Sequence, residues 1–208
     1  MKTFLIPVLI AALMPILSPQ TPSSAVDLDA RVQAYLEAQR GQLGQGHFTD
    51  SDGKLLYDMI LKNKYTRAID IGTGFGHSAI WMAWALSKTG GKLITIEINE
   101  SRYRDALARF QEVGLAPYID ARLGDALKIL PELSGPFDFV FMDAPVVLAR
   151  EFFDSVASKI VVGGRYLTHG VGDNEPAVYS DYLKSLKNFE TTYDTGGEFC
   201  VTTKKSER

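Results

Sequence analysis

The chain has 208 residues, of which 46% are hydrophobic, and a formal net charge of −3. This length and composition suit one globular domain with a full-sized core. The mildly acidic balance, without a basic stripe or a Lys/Arg cluster, argues against nucleic acid as a direct partner. A single cysteine, Cys200, excludes an intrachain disulfide, and its strand-like surroundings predict a buried apolar thiol rather than a nucleophile.

The first 25 residues have the pattern of an export signal. Lys2 and the α-amino group form a short positive region, residues 4–17 are apolar apart from two prolines, and Ser23 and Ala25 suit a cleavage site. The apolar run is shorter than the roughly 20 residues that span a bilayer; the alternative is an uncleaved anchor. We therefore expect residues 1–25 to be a signal peptide or membrane anchor, residues 26–208 to be one domain, and the protein to be exported or membrane-anchored.

Two helices are predicted ahead of the first strand. Apolar residues share one face of the segment 28–40, at the spacing of an amphipathic helix. Glycines at 41–46 end that helix. Thr49 or Ser51 can cap a second helix, whose apolar face includes Leu56 and Ile60.

From residue 67 onward, short apolar segments alternate with helical ones. The predicted strands span 67–71, 92–96, 118–123, 137–142 and 165–168, and a closing pair spans 189–193 and 198–203. The predicted helices between them span 77–87, 101–113, 126–133, 147–159 and 176–187. This alternation implies an α/β fold with a doubly wound, mostly parallel sheet covered on both faces. Ligands of such sheets bind at the carboxyl ends of the strands.

A glycine-rich turn, Asp70-Ile-Gly-Thr-Gly-Phe-Gly76, follows the first strand. Gly72, Gly74 and Gly76 allow a tight turn and close approach to a ligand, and the next helix offers unpaired N–H groups to an anion. The third glycine comes one position earlier than in a dinucleotide-binding motif. Asp70 would repel a pyrophosphate but suits an ammonium group. The turn therefore fits S-adenosylmethionine (SAM), which carries an amino acid and a sulfonium cation, better than a dinucleotide.

Two more carboxylates follow the next strands. Glu97 ends the second strand and can accept both hydroxyls of a ribose, while Asp125 follows the third strand and can reach an adenine edge. Each carboxylate alone is equally well explained as a helix cap or a solvated charge. Three of them at successive strand ends favour an adenosine-bearing, cationic ligand.

These motifs, with Gly124-Asp-Ala126, Phe137 to Asp143 and Val162-Gly-Gly164, resemble those of the class I SAM-dependent methyltransferases. The closer likeness, over about residues 45–203, is to the catechol and caffeoyl-CoA O-methyltransferases. The resemblance implies a seven-stranded sheet with an antiparallel last strand and O-methylation of a small hydroxylated acceptor. It also implies the cofactor contacts: Asp70, Gly72, Gly74, Gly76 and Ser78 around the methionine part, Glu97 at the ribose and Asp125 at the adenine. A homodimer and membrane association through the N-terminus are further expectations.

The likeness weakens at the family's metal site. That family holds the acceptor hydroxyls on a divalent metal, with Asp-x-Asp-Lys after the fourth strand and Asp-Asn after the fifth. Here Asp143 matches the first metal ligand, Val146 takes the place of the catalytic lysine, and His169 and Gly170 replace the other two ligands. Asp143 with His169 is a poor set for Mg²⁺, so we expect altered or absent metal dependence. The alternative is that Asp173-Asn174 returns to complete the site.

Without the lysine, His169 is the candidate general base and Asp143 the residue that orients it. The alternative is a loop histidine with a local hydrogen bond. His77 is expected to serve helix packing. Because the oxygen assignment depends on the altered metal site, an N- or S-methyltransferase and a SAM- or nucleoside-binding module without catalysis remain competing readings.

Overall fold

The computed structural model describes residues 24–40, 48–170, 177–193 and 199–207. Most of the predicted N-terminal segment, the glycines at 41–46 and the Asp173-Asn174 pair lie outside this part of the chain. Within it, no helix combines the length and the apolar character that crossing a bilayer requires.

Helices and strands alternate along the described chain. The helices are α1 (Ser24–Gln39), α2 (Asp50–Asn63), α3 (His77–Thr89), α4 (Glu100–Val113), α5 (Ala126–Glu132), α6 (Ala149–Val156) and α7 (Ala177–Ser185). The strands are β1 (Arg67–Ile71), β2 (Lys92–Glu97), β3 (Ile119–Leu123), β4 (Phe137–Met142), β5 (Ile160–His169), β6 (Phe189–Tyr193) and β7 (Phe199–Lys204). Short 3₁₀ turns span Ala116–Tyr118, Val146–Leu148 and Ala157–Lys159.

The seven strands form one sheet in the order β3-β2-β1-β4-β5-β7-β6. Neighbours from β3 to β5 are parallel, whereas β7 runs antiparallel to both β5 and β6. This confirms the predicted doubly wound α/β sheet with an antiparallel last strand. The chain leaves β1 towards β2 on one side and returns to β4 on the other, so the topological switch point lies between β1 and β4. Ligands of this architecture bind there.

Two apolar cores cover the two faces of the sheet. One joins residues of α1 to α4 with the sheet and includes Trp81, Met82 and Trp84 of α3. The other lies under α5, α6 and α7 and contains the buried thiol of Cys200, as predicted. Burial of large apolar surface on both faces holds the ends of β1 and β4 rigidly beside each other.

Several segments differ from their predicted extents, among them α1, which begins at Ser24, and α7, which ends at Ser185; α6 and β5 differ for a visible structural reason. The predicted helix at 147–159 is α6 flanked by two 3₁₀ turns. Strand β5 begins at Ile160 rather than at Arg165, because Ile160 already pairs with Phe137 before a register shift. Gly163, with a φ of 83°, adopts the left-handed backbone of that irregularity. Gly163 and Gly164 are therefore part of β5.

Candidate functional site

A cavity of about 450 Å³ opens at the carboxyl ends of the parallel strands. Its volume lies in the range of small-molecule sites. Its walls come from the turn after β1, the ends of β2, β3 and β4, and the first turns of α3, α4 and α5. The lining residues that the sequence had singled out are Gly72, Gly74, His77, Ser78, Glu97, Asp125 and Asp143. Asp70, Gly76 and His169 are not among the lining residues.

The glycine turn lies directly against the end of β4. Gly72 has a φ of 94°, and a Cβ atom there would lie 3.0 Å from the carbonyl carbon of Asp143 and closer still to its oxygen. Gly76, with a φ of 88°, is the N-cap of α3 and supplies no side-chain cap. The first N–H groups of α3 are therefore not capped by the N-cap side chain, at the edge of the cavity where Ser78 lies.

Asp70 is completely buried at the end of β1. Its carboxylate accepts hydrogen bonds from the Thr95 hydroxyl at 2.8 Å and, more weakly, from the Ser78 hydroxyl at 3.3 Å. Burial raises the pKa of Asp70 to about 7, and the negative charge of Asp143 adds to the effect. A cation bound beside Asp70 would favour its ionised form. Asp70 therefore places a carboxyl group just behind the cavity wall.

Glu97 and Asp125 line the cavity farther along the sheet. The buried Glu97 carboxylate accepts hydrogen bonds from the backbone N–H of Gly74 at 2.7 Å and of Asn99 at 2.8 Å. Each carboxylate oxygen has lone-pair capacity for a further donor, such as a ribose hydroxyl. Asp125 is the N-cap of α5 and accepts from the Leu127 N–H at 2.9 Å. The capping role weighed for Asp125 from the sequence is thus present, alongside its position on the cavity wall.

Asp143 and His169 form a pair at the ends of β4 and β5. His169 Nδ1 lies 3.2 Å from Asp143 Oδ1. The Asp143 side chain is 41% exposed and lines the cavity. His169 is 4% exposed and lies behind it, so the two candidate catalytic groups are together but occupy different depths.

Sequence reasoning missed part of the cavity wall. The ring of Phe48 lies between the imidazoles of His77 and His169, with centroid distances of 5.4 and 5.5 Å. The Arg102 guanidinium lies 5.8 Å from the ring of Phe75, and both residues line the cavity. Phe48 precedes the α2 N-cap without any apolar periodicity, so no pattern singled it out. Phe75 lies inside the recognised glycine turn, and Arg102 lies in the first turn of α4, five residues after Glu97.

His77 is the first residue of α3, in agreement with its predicted place at the helix start. Its Nε2 lies 3.2 Å from Asp50 Oδ1. Burial lowers the pKa of the His77 imidazole, although the nearby Asp50 carboxylate opposes this shift. Among the described residues that line the cavity, His77 and Arg102 are the ones that can carry positive charge.

Comparison with known proteins identifies the family. A profile of the family described as O-methyltransferase matches residues 33–169. The chain belongs to this O-methyltransferase family. The matched segment covers only part of each relative, from 49% to 71% of its length in the three named here. A catechol O-methyltransferase of Mycobacterium tuberculosis is 38% identical over 158 residues, which cover 70% of this chain and 71% of the relative.

Two further relatives align over a smaller share. A catechol O-methyltransferase of Niastella koreensis is 32% identical over 62% of this chain, and the match spans 63% of its own length. Caffeoyl-CoA O-methyltransferase 1 of Eucalyptus globulus is 33% identical over 56% of this chain, and the match spans about half (49%) of its length.

Solved structures of O-methyltransferases share the fold. TomG of Streptomyces achromogenes, crystallised with SAM, superposes with a TM-score of 0.69 at 27% identity, covering 89% of this chain and 92% of its own. A putative caffeoyl-CoA O-methyltransferase of Staphylococcus aureus, at 19% identity, gives a TM-score of 0.71 over 88% of this chain and 99% of its own, and shows the fold alone. Within the described ranges, no group of three His, Cys, Asp or Glu side chains is arranged to hold a metal.

Proposed function

We propose that this protein is a SAM-dependent methyltransferase that methylates an oxygen of a small hydroxylated molecule. One observation carries the proposal: in a chain of the O-methyltransferase family, Glu97, Asp125 and a glycine turn line one cavity at the switch point of the sheet, and Asp70 is buried just behind its wall. The named relatives act on catechol or caffeoyl-CoA, and TomG was crystallised with SAM.

The chemistry of the cavity supports a defined orientation of the cofactor. Asp70 and the turn at Gly72 and Gly74 suit the ammonium group of the methionine part. The uncapped first turn of α3, with Ser78, suits its carboxylate. Glu97, already fixed by two backbone N–H groups, can accept the ribose hydroxyls. We assign Gly76 to the same site because it sets the start of α3 behind these groups.

At the far end of the cofactor, Asp125 is proposed to accept from the adenine amino group while it caps α5. This order along the sheet, from β1 to β2 to β3, is the order of methionine, ribose and adenine in an extended cofactor. It leaves the sulfonium near the end of β4, where the Asp143–His169 pair lies.

Methyl transfer demands little covalent chemistry from the protein. The sulfonium is a strong electrophile, so catalysis comes from in-line positioning of the acceptor and removal of its proton. We propose that the Asp143–His169 pair, the two residues that the sequence predicts to be catalytic, receives this proton. The distance of 3.2 Å between His169 Nδ1 and Asp143 Oδ1 supports a joint role.

Calorimetric titration with S-adenosylhomocysteine (SAH), the demethylated product, tests cofactor binding. Incubation with methyl-labelled SAM and catechol, caffeoyl-CoA or a small thiol then tests transfer. Binding followed by labelling of a hydroxyl supports the proposal. Labelling of the thiol alone would replace oxygen by sulfur as the acceptor atom, and binding without any transfer would favour a cofactor-binding module without catalysis.

Location and assembly are separate parts of the proposal. The apolar run at 4–17 and the small residues Ser23 and Ala25 support export or anchoring through residues 1–25. N-terminal sequencing of the mature protein distinguishes cleavage from anchoring. Analytical ultracentrifugation of the purified protein tests the proposed homodimer.

A further inference from the structure

The ends of β4 and β5 are a poor donor set for the divalent metal that the catechol-type resemblance implies. Mg²⁺ takes about six oxygen ligands at roughly 2.0–2.1 Å. Among the described residues, these two strand ends supply one carboxylate, Asp143, while Val146 and Gly170 supply no side-chain donor. The Thr168 hydroxyl is buried and bonds the Tyr179 hydroxyl at 3.1 Å. The described residues at these two strand ends therefore do not fit a magnesium site.

An imidazole stands where a second oxygen ligand would be needed. His169 Nδ1 lies 3.2 Å from Asp143 Oδ1. Three rings enclose the imidazole, with centroids at 5.0 Å for Phe199, 5.5 Å for Phe48 and 6.1 Å for Phe141. This aromatic packing restrains the imidazole ring beside the Asp143 carboxylate.

The depths of the two side chains show which one an incoming acceptor reaches first. Asp143 lines the cavity and is 41% exposed, whereas His169 is buried behind it and does not line the cavity. An acceptor entering the cavity therefore meets the carboxylate first. This is the reverse of the order expected from the sequence, in which His169 contacted the acceptor and Asp143 oriented it.

We propose that the Asp143–His169 pair takes the place of the family's metal, with Asp143 as the catalytic residue that contacts the acceptor hydroxyl and His169 as its positioning residue. This inference rests on the proposed methyltransferase function. In the transfer step the acceptor O–H bond breaks, the new O–CH₃ bond forms and the S–CH₃ bond of SAM breaks. The sulfur keeps its electron pair as SAH leaves, and the proton goes to Asp143, whose exposed edge can return it to solvent.

The first test measures metal binding by the full chain. Protein freed of metal with a chelator is titrated with Mg²⁺ and with Mn²⁺ in the presence of SAH, by calorimetry and by thermal shift. We expect no saturable binding, and turnover in the chelator within about twofold of the untreated enzyme. Saturable metal binding, or turnover that the chelator abolishes and Mg²⁺ restores, overturns the proposal. Loss of such binding in Asp173→Ala would then identify the Asp173-Asn174 pair as the ligand source.

A matched variant provides a positive control, in which the same assay should detect a metal site in this fold. The double change His169→Asp and Gly170→Asn restores the Asp-Asn pattern of the resembling family. Gly170 has a φ of 70°, a conformation that asparagine tolerates better than most residues. We expect this variant to gain a saturable Mn²⁺ response that the unmodified chain lacks.

The second test separates positioning from packing at His169. His169→Phe keeps a ring among the phenylalanines but removes the contact with Asp143, whereas His169→Asn keeps an N–H donor near the Nδ1 position. With catechol as the acceptor, we expect Asp143→Asn to lower kcat by about 100-fold or more. His169→Phe should lower it by about 10-fold, and His169→Asn should recover part of that loss.

Affinity for SAH distinguishes failure of the proposed His169 role from failure of the proposed function. It should stay within about threefold in both His169 variants, since His169 does not line the cavity. Full activity of His169→Phe, or equal loss of SAH affinity and turnover, would show that His169 has only a structural role. Absence of SAH binding by the unmodified chain would instead refute the proposed function itself.

Discussion

Replacing Gly72 with alanine tests whether the cofactor turn depends on its contact with the end of β4. Gly72 has a φ of 94°, and a side chain in the left-handed region costs about 1–2 kcal/mol. Its Cβ would also lie 3.0 Å from the backbone carbon of Asp143 and nearer to its oxygen. Backbone cannot swing away as a flexible side chain can, so overpacking adds about 1–3 kcal/mol. The expected loss in the free energy of unfolding is roughly 2–5 kcal/mol.

Gly163→Ala is the matched control. Gly163 has a φ of 83°, but a Cβ there would meet no atom within 4 Å. It should therefore show only the backbone cost, about 1–2 kcal/mol, and leave SAH affinity unchanged. Urea denaturation and calorimetric titration of both variants measure the difference. If Gly72→Ala were no less stable than Gly163→Ala and bound SAH equally well, the argument for close approach of the turn and β4 would be wrong.

Three further predictions concern the carboxylates. Asp70→Asn should flatten the pH dependence of stability. With its pKa raised by burial from 3.8 to about 7, Asp70 stabilises the fold most below the lower value, and this stability is lost as the pH rises through the higher one. Relative to the variant, the wild-type free energy of unfolding should fall by about 2–3 kcal/mol between about pH 5 and pH 8 in urea titrations. Glu97→Gln should weaken SAH binding by about 10- to 100-fold in calorimetry, since a charged acceptor is lost. Asp125→Ser should keep the α5 cap but weaken SAH binding several-fold, whereas Asp125→Ala should also lose about 1 kcal/mol of stability.

Each of these has its own check. An equal pH dependence in Asp70→Asn and wild type would mean that Asp70 does not titrate in that window. Glu100→Gln, which removes an exposed carboxylate paired with Arg104, should leave SAH affinity unchanged. A similar effect in both glutamate variants would point to long-range charge rather than a ribose contact. Unaltered SAH binding in Asp125→Ser would reduce Asp125 to a helix cap.

Much of the sheet could be predicted because most of its strands are short and sharply bounded in the sequence. The predicted limits of β1, β4 and β6 coincide with the observed Arg67–Ile71, Phe137–Met142 and Phe189–Tyr193. Glycine or aspartate residues bound several of these apolar runs, so local chemistry marks their limits. The start of β5 was predicted too late, because consecutive glycines such as Gly163 and Gly164 are unfavourable inside a strand. A register shift keeps both residues in the strand.

The cofactor side of the site was predictable for the same reason: Asp70, Glu97 and Asp125 each lie at or just after the end of a strand whose position the pattern reveals. The burial of His169 could not be predicted, because it depends on Phe48 and Phe199, which lie far away in the sequence. No local pattern indicates that these rings meet around an imidazole. The raised pKa of Asp70 likewise results from three-dimensional burial.

Titration of the purified protein with SAH by calorimetry tests the central claim most directly. The account predicts saturable binding to one site per chain, weakened in Glu97→Gln and unaffected in Glu100→Gln. No heat and no thermal shift with either SAH or SAM would contradict the claim that this cavity is built for the methyl donor.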